Sequence, residues 1–131
     1  MPKTIQQTAV LPAPADQLFD MYLDPRQHAA FTSAEVTISP EPGAEFRAFN
    51  GVLSGHILVA IPKRMIVQTW RSSHWSADDL DSILVLTFHG DSKGGRIELV
   101  HVNVPDHDHD GVNEGWQKFY WTPWRSYIER R

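Results

Sequence analysis

Cysteine is absent from the 131 residues, and this one absence removes disulfides, thiolate zinc centres, iron–sulfur clusters and a thiol nucleophile together. Basic residues do not dominate either. Twelve Lys and Arg stand against 16 Asp and Glu, for a formal net charge of −4. A chain of pI about 5.9 has no electrostatic case for nucleic acid or an anionic membrane as its main partner. No apolar run approaches the ~20 residues of a membrane-spanning helix. The opening Met1-Pro2-Lys3-Thr4-Ile5-Gln6-Gln7 lacks the basic-then-apolar order of a signal peptide. Glycine-rich phosphate loops, a Walker lysine and a dinucleotide fingerprint are missing as well. Gly51-Val52-Leu53-Ser54-Gly55 carries its serine one place late for a Gly-x-Ser-x-Gly nucleophile turn. What remains is a soluble, cytoplasmic protein. Residues 1–131 are expected to form one domain, large enough to bury about two-thirds of its unfolded surface.

What is present is aromatic: five Trp, six Phe and three Tyr. Along the chain, Thr4–Val10 is a strand candidate closed by Leu11-Pro12-Ala13-Pro14, whose prolines forbid a helix before about Ala15. Ala15, Leu18, Phe19 and Tyr22 then recur at helical spacing. Asp24-Pro25-Arg26-Gln27 is a second helix start, with Asp24 as cap, Pro25 at the first helical position and Gln27 at the capping-box position. This helix is expected to run to about Phe31. The period then changes. Glu35–Ser39, Ala44–Phe49, Gly51–Ile61, Arg64–Arg71, Ser82–His89 and Gly95–Val104 are β-branched and aromatic-rich and are separated by proline, glycine and aspartate turns. Consecutive strands without intervening helices make an antiparallel meander. Leu84, Leu86 and Phe88 alternate with Ile83, Val85 and Thr87, while Ile97, Leu99, His101 and Asn103 share a face.

The chain closes on Val112, Trp116, Phe119, Tyr120, Trp124, Tyr127 and Ile128, one apolar stripe down a long helix that Pro123 should bend. A helix with such a face needs a broad apolar surface, and the meander offers it. The expected fold class is α+β: a curved antiparallel β-sheet wrapped around a long C-terminal helix, with two short N-terminal helices.

This order is the helix-grip layout shared by START-like and birch-pollen-allergen-like proteins, the SRPBCC superfamily. Within it the sequence resembles the domain at the C-terminal end of activators of the heat-shock-protein-90 ATPase, a domain that also stands alone in many bacterial relatives. The residues that carry the resemblance begin with Gly51-Val52-Leu53-Ser54-Gly55-His56, Pro62, Thr69-Trp70-Arg71 and Trp75. They continue with Leu86-Thr87-Phe88, Ile97-Glu98-Leu99, His101, Pro105 and Glu114-Gly115-Trp116-Gln117-Lys118-Phe119-Tyr120. The resemblance implies the fold, and a role in the stress response by association with a chaperone ATPase. The eukaryotic co-chaperones carry a separate N-terminal domain for their main chaperone contact, and nothing in this sequence corresponds to it. Fold alone does not fix function.

The helix-grip layout implies a cavity between sheet and helix, so a small apolar or amphipathic ligand is the first reading. The candidate lining residues on the sheet are Phe46, Phe49, Ile66, Gln68, Trp70, Leu84, Leu86, Leu99 and His101. Trp116, Phe119 and Tyr120 face them from the helix. The alternative is that these residues fill the core solidly. His101 either orients a ligand's polar group or is a buried histidine bonded to a neighbour. Asp106-His107-Asp108-His109-Asp110 holds metal-ligand types, yet in extended backbone its histidines and aspartates point oppositely. It reads as a solvated acidic turn in which Asp110 caps the long helix. Neither a metal nor an organic cofactor is expected. Trp75 and Trp121 either mark a partner surface or, for Trp75, fold back over the sheet rim. A chaperone-binding protein is the second reading, and a cyclase- or hydrolase-type pocket enzyme using His101 the third, although no residues nominate a reaction. Monomer and homodimer are equally open.

Overall fold

β-branched and aromatic residues with period-two burial build the sheet, and turn residues set its corners. The computed structural model of the chain describes residues 1–130. Strand β1 (Lys3–Leu11) leads into helices α1 (Ala15–Leu23) and α2 (Pro25–Thr32). Strands β2 (Glu45–Ala48), β3 (Leu53–Ile61), β4 (Met65–Ser72), β5 (Ser82–Asp91) and β6 (Gly94–Val104) follow. The last element is broken into α3 (His109–Gly115), a π turn at Trp116–Trp121 and α4 (Thr122–Arg130). All six strands lie in one antiparallel sheet of order β1-β6-β5-β4-β3-β2. The α+β helix-grip arrangement expected from the sequence is the one observed.

The caps act as their chemistry dictates. Asp24 Oδ1 accepts the Arg26 N–H at 2.9 Å, and Gln27 Nε2 reaches Asp24 Oδ2 at 3.2 Å. Phe31 on α2 stacks on Trp124 of α4, with centroids 4.4 Å apart and planes 2° from parallel, so the second small helix docks on the C-terminal one. On the inner sheet face Leu84, Leu86, Phe88, Ile97, Leu99 and His101 are buried, while Ile83, Val85 and Thr87 lie half-buried on the outer face.

Several local expectations need correction. Glu35–Ser39 forms no strand and touches the sheet at one bridge, Thr37 to Arg47, with Pro40 close behind to stop it. Gly51 does not begin β3 but ends a tight turn in which Phe49, Asn50 and Gly51 all have positive φ (51°, 58° and 93°). Asn103 leaves the face of Ile97, Leu99 and His101: its φ is 64°, and the β1–β6 register slips between Lys3↔Val104 and Ile5↔His101. That bulge turns Val104 inward in its place. Asp110 is not the cap of α3; Asp108 holds that position without a side-chain cap bond, and Asp110 sits in the first turn.

The C-terminal stripe is not one continuous helix. Within the π turn the Thr122 N–H bonds to the Gln117 carbonyl, five residues back. Pro123 comes next, with no N–H to give and a ring that would strike the carbonyl four residues back in a regular α-helix. The wider turn absorbs an extra residue, and this changes which aromatics point inward. Trp121 is buried, not beside the stripe at the surface, and Phe119 is 48% exposed. Gln7 of the edge strand fixes this segment. Its Oε1 accepts the Trp121 indole N–H at 2.8 Å, and its Nε2 donates to the Asn113 carbonyl at 2.8 Å.

Candidate functional site

Where the turn before β3 and the end of β4 face α3 and the π turn, the packing leaves a groove of about 370 Å³. Phe49, Val52, Leu53, Trp70, Ser72 and His74 line it from the sheet side. Asp108, Gly111, Val112, Gly115, Trp116, Phe119 and Tyr120 line it from the helix. Val52 and Phe119, 38% and 48% exposed, form its rim. The rings stand in an unbroken series. Centroids are 5.6 Å apart for Trp75–Trp70, 6.2 Å for Trp70–Trp116 and 4.8 Å for Trp116–Tyr120. The series closes at 5.9 Å for Tyr120–Phe49 and 5.7 Å for Phe49–Phe119. Phe49 takes its place from a left-handed backbone conformation, which costs a bulky residue about 1–3 kcal/mol.

Polar groups are few on this surface. Trp75, buried over the sheet rim as the ordinary reading anticipates, donates its indole N–H to Asp108 Oδ2 at 2.7 Å. A Cβ on Gly111 would come within 2.9 Å of Asp108 Oδ1, so glycine there leaves room for the carboxylate. Ser72 Oγ accepts the His74 N–H at 3.2 Å. Among the described residues the buried indole N–H of Trp70 has no hydrogen-bond partner.

Behind the groove lies His101, fully buried. Its Nδ1 accepts the Trp116 indole N–H at 3.2 Å, since an indole only donates. The proton therefore resides on Nε2, 2.8 Å from Ser82 Oγ, and the Ser82 hydroxyl passes on to the Trp70 carbonyl at 2.6 Å. Desolvation lowers this imidazole's pKa to about 3, so it is neutral at pH 7. Both ring nitrogens are satisfied within the protein.

A second buried network sits under α1 and α2. His28 Nδ1 donates to the Tyr22 carbonyl at 2.8 Å, and Nε2 accepts from the Tyr120 hydroxyl at 2.9 Å. The Tyr22 hydroxyl donates to Gln68 Oε1 at 2.5 Å. Burial lowers the His28 pKa to about 4 and raises both tyrosines, Tyr22 with a further push from Tyr120. These groups stay neutral at ordinary pH.

Five of the candidate lining residues meet in the groove: Phe49, Trp70, Trp116, Phe119 and Tyr120. The other seven do not reach it. Phe46, Ile66, Leu84, Leu86 and Leu99 pack in the core, Gln68 joins the Tyr22 network, and His101 stands behind the Trp70 and Trp116 rings. Sequence reasoning missed Val52, Leu53, Ser72, His74, Asp108, Val112 and the two helix glycines on the groove surface, and His28 in the core. The signal for His28 was its place three residues before Phe31, on the same face of a short helix. The acidic turn scatters its ligand types. Asp106 pairs with Lys3 at 3.0 Å, His107 with Asp79 at 2.8 Å and Asp108 with Trp75. Among the described residues no three such side chains converge on a point, and no helix is long and apolar enough to cross a membrane.

The family model described as Activator of Hsp90 ATPase homolog 1-like protein matches residues 12–129. The Activator of 90 kDa heat shock protein ATPase homolog of Dictyostelium discoideum is 30% identical over 101 residues, covering 76% of this chain and 26% of that protein. The human Activator of 90 kDa heat shock protein ATPase homolog 1 is 28% identical over 107 residues, covering 80% of this chain and 31% of its own length. The chain thus spans about a quarter to a third of these curated relatives. Among solved structures, an HSP90 activator from Plasmodium falciparum superposes with a TM-score of 0.79 over 90% of both chains at 19% identity. A protein from Mesorhizobium loti superposes with a TM-score of 0.84 over 98% of both chains at 18% identity. At these identities the structural likeness establishes the fold, and the family follows from the sequence match over nearly the whole length: the chain belongs to the Activator of Hsp90 ATPase homolog 1-like protein family.

Proposed function

We propose that this chain binds a small apolar or amphipathic molecule in the groove between the sheet and its C-terminal helix. The observation that supports this best is a space of about 370 Å³ lined by five aromatic rings beside a core of buried apolar side chains. That volume falls in the ~300–1,000 Å³ range of small-molecule sites. Phe119 at the rim is 48% exposed, apolar surface that is costly in water unless something covers it, and the left-handed Phe49 is strain kept at the same place. Native mass spectrometry of gently purified protein, compared with a denatured sample, tests the reading. An extra mass lost on denaturation is the expected result. A clean mass, together with unmoved tryptophan indole N–H resonances against a panel of small apolar molecules, overturns it.

A second reading is association with a chaperone ATPase, supported by the family match and by relatives that bear the name of activators of the 90 kDa heat shock protein ATPase. Under it the chain is a cytoplasmic stress-response protein, corresponding to only part of those longer relatives. Titrating it into the ATPase assay of the same organism's chaperone decides the matter: no stimulation at high molar excess removes this reading.

A further inference from the structure

Resting on the ligand-binding reading, we infer that the groove selects a cationic amphiphile, an organic ammonium attached to an apolar body, with Asp108 and the aromatic series as its recognition elements. Three observations converge. Phe49, Trp70, Trp116, Phe119 and Tyr120 contribute the rings of the groove surface, and a ring face presents negative electrostatic potential that attracts a cation within about 6 Å. Among the described residues Asp108 is the one carboxylate that lines the groove, and neither a lysine nor an arginine lines it. Asp108 is also held in place: Trp75 Nε1 donates to Oδ2 at 2.7 Å, an indole contact that fixes the carboxylate without neutralising its charge.

A neutral or anionic guest leaves that fixed carboxylate uncompensated, and an anion is repelled by it. An ammonium compensates it while its substituents rest on the rings. The rim already uses this chemistry. Lys118, exposed and outside the lining, sets its own ammonium 5.3 Å from the Phe119 centroid. The formal net charge of −4 adds a long-range attraction of the same sign.

The test uses three probes of similar apolar body: benzyltrimethylammonium, its uncharged isostere neopentylbenzene and the anion 3-phenylpropionate. Binding is read on the indole N–H resonances of the wild-type protein, where Trp75 reports the Asp108 end directly. The cation is expected to bind about tenfold or more tighter than the isostere, with the anion weaker still. Asp108→Asn keeps an oxygen for Trp75 and removes the charge. It is expected to reduce the cation's advantage over the isostere and leave only the part that the ring faces supply. If the isostere or the anion binds as well as the cation to wild-type protein, the groove is a ligand site but this inference is wrong. If none of the three moves an indole resonance, this inference falls, and with a clean native mass the ligand-binding reading falls as well. An undiminished cation preference in Asp108→Asn, with its indole spectrum otherwise intact, removes Asp108 from the recognition.

Discussion

The indole of Trp116 donates to Nδ1 of His101 across 3.2 Å, and this bond ties the π turn of the C-terminal helix to the inner face of β6. The imidazole also meets the Trp70 ring edge-on with centroids 4.7 Å apart. Its other nitrogen bonds Ser82, which holds the Trp70 backbone carbonyl, so one neutral ring packs against both large indoles of the groove. His101 therefore acts on the groove through Trp70 and Trp116, not by touching what lies in it.

Replacing His101 with Phe removes the acceptor for Trp116 and leaves a buried N–H unpaired. The expected cost is about 1–3 kcal/mol, read as a lower urea midpoint with an unchanged slope. The Trp116 indole resonance should move upfield with loss of its bond. A midpoint equal to wild type would mean that the 3.2 Å contact contributes nothing to stability.

Acid should weaken the fold before its carboxylates titrate. In the folded state burial lowers His28 to about 4 and His101 to about 3, against an ordinary value of 6.5. A depressed histidine pKa means that the unfolded chain binds protons the folded chain refuses. Stability is therefore full above pH 6.5 and falls as the pH drops below it. Each histidine contributes a slope of about 1.4 kcal/mol per pH unit. Urea midpoints taken between about pH 6 and pH 4.5 should fall steeply, and a His28→Gln or His101→Gln variant should show about half the slope. A flat profile in that window would show that neither histidine is buried in its neutral form.

Glycine substitutions should separate packing from groove shape. A Cβ on Gly55 would lie 2.0 Å from the Thr69 carbonyl oxygen, backbone that cannot step aside. Gly55→Ala should cost about 1–3 kcal/mol through overpacking. Gly115 differs, because its backbone is helical (φ −60°, ψ −34°) and a Cβ would meet Phe119 at an ordinary 3.6 Å. Gly115→Ala should stabilise by about 0.5–1 kcal/mol, the glycine penalty in a helix. Gly115 also lines the groove, so the same methyl should weaken binding there. Thermal unfolding and ligand titration of the two variants check both directions.

The strands, the two small helices and the family were legible because their signals are local: alternation, capping residues, and short motifs in order. The Asp24-Pro25 helix start is an example, since cap, proline and Gln27 act within four positions. The π turn was not legible. Val112, Trp116, Tyr120 and Trp124 keep their inward places whether or not an extra residue is absorbed between them. The spacing alone could not tell that Trp121 goes in and Phe119 comes out. The groove was half legible for a related reason. Alternation says that Leu84, Leu86, Leu99 and His101 face inward, but which end of an inner face stays unfilled depends on where the helix departs from it. Here the departure leaves the turn at Phe49 and the end of β4 uncovered, far from the centre of β5 and β6. His28 is recognised as a buried hub only through its two hydrogen-bond partners, Tyr22 and Tyr120, which lie 6 and 92 residues away, and no window of sequence contains both.

Gln7 gives the sharpest test of what holds the broken helix on the sheet. It sits on an edge strand, and its single amide answers two segments of the helix: Oε1 accepts from Trp121 at 2.8 Å, while Nε2 donates to the Asn113 carbonyl at 2.8 Å and to its side-chain oxygen at 2.9 Å. Gln7→Leu deletes both and leaves the buried Trp121 N–H unpaired, an expected loss of about 1–3 kcal/mol. Gln7→Glu keeps an acceptor for Trp121 but turns a carboxylate towards two oxygens of Asn113, so its damage should concentrate on α3. Amide hydrogen exchange resolves the two cases. In Gln7→Leu protection should fall across both α3 and the π turn, and in Gln7→Glu it should fall in α3 with the π turn retained. Equal protection in all three proteins would mean that the aromatic packing of Trp116, Trp121 and Trp124 holds the helix without help from the edge strand.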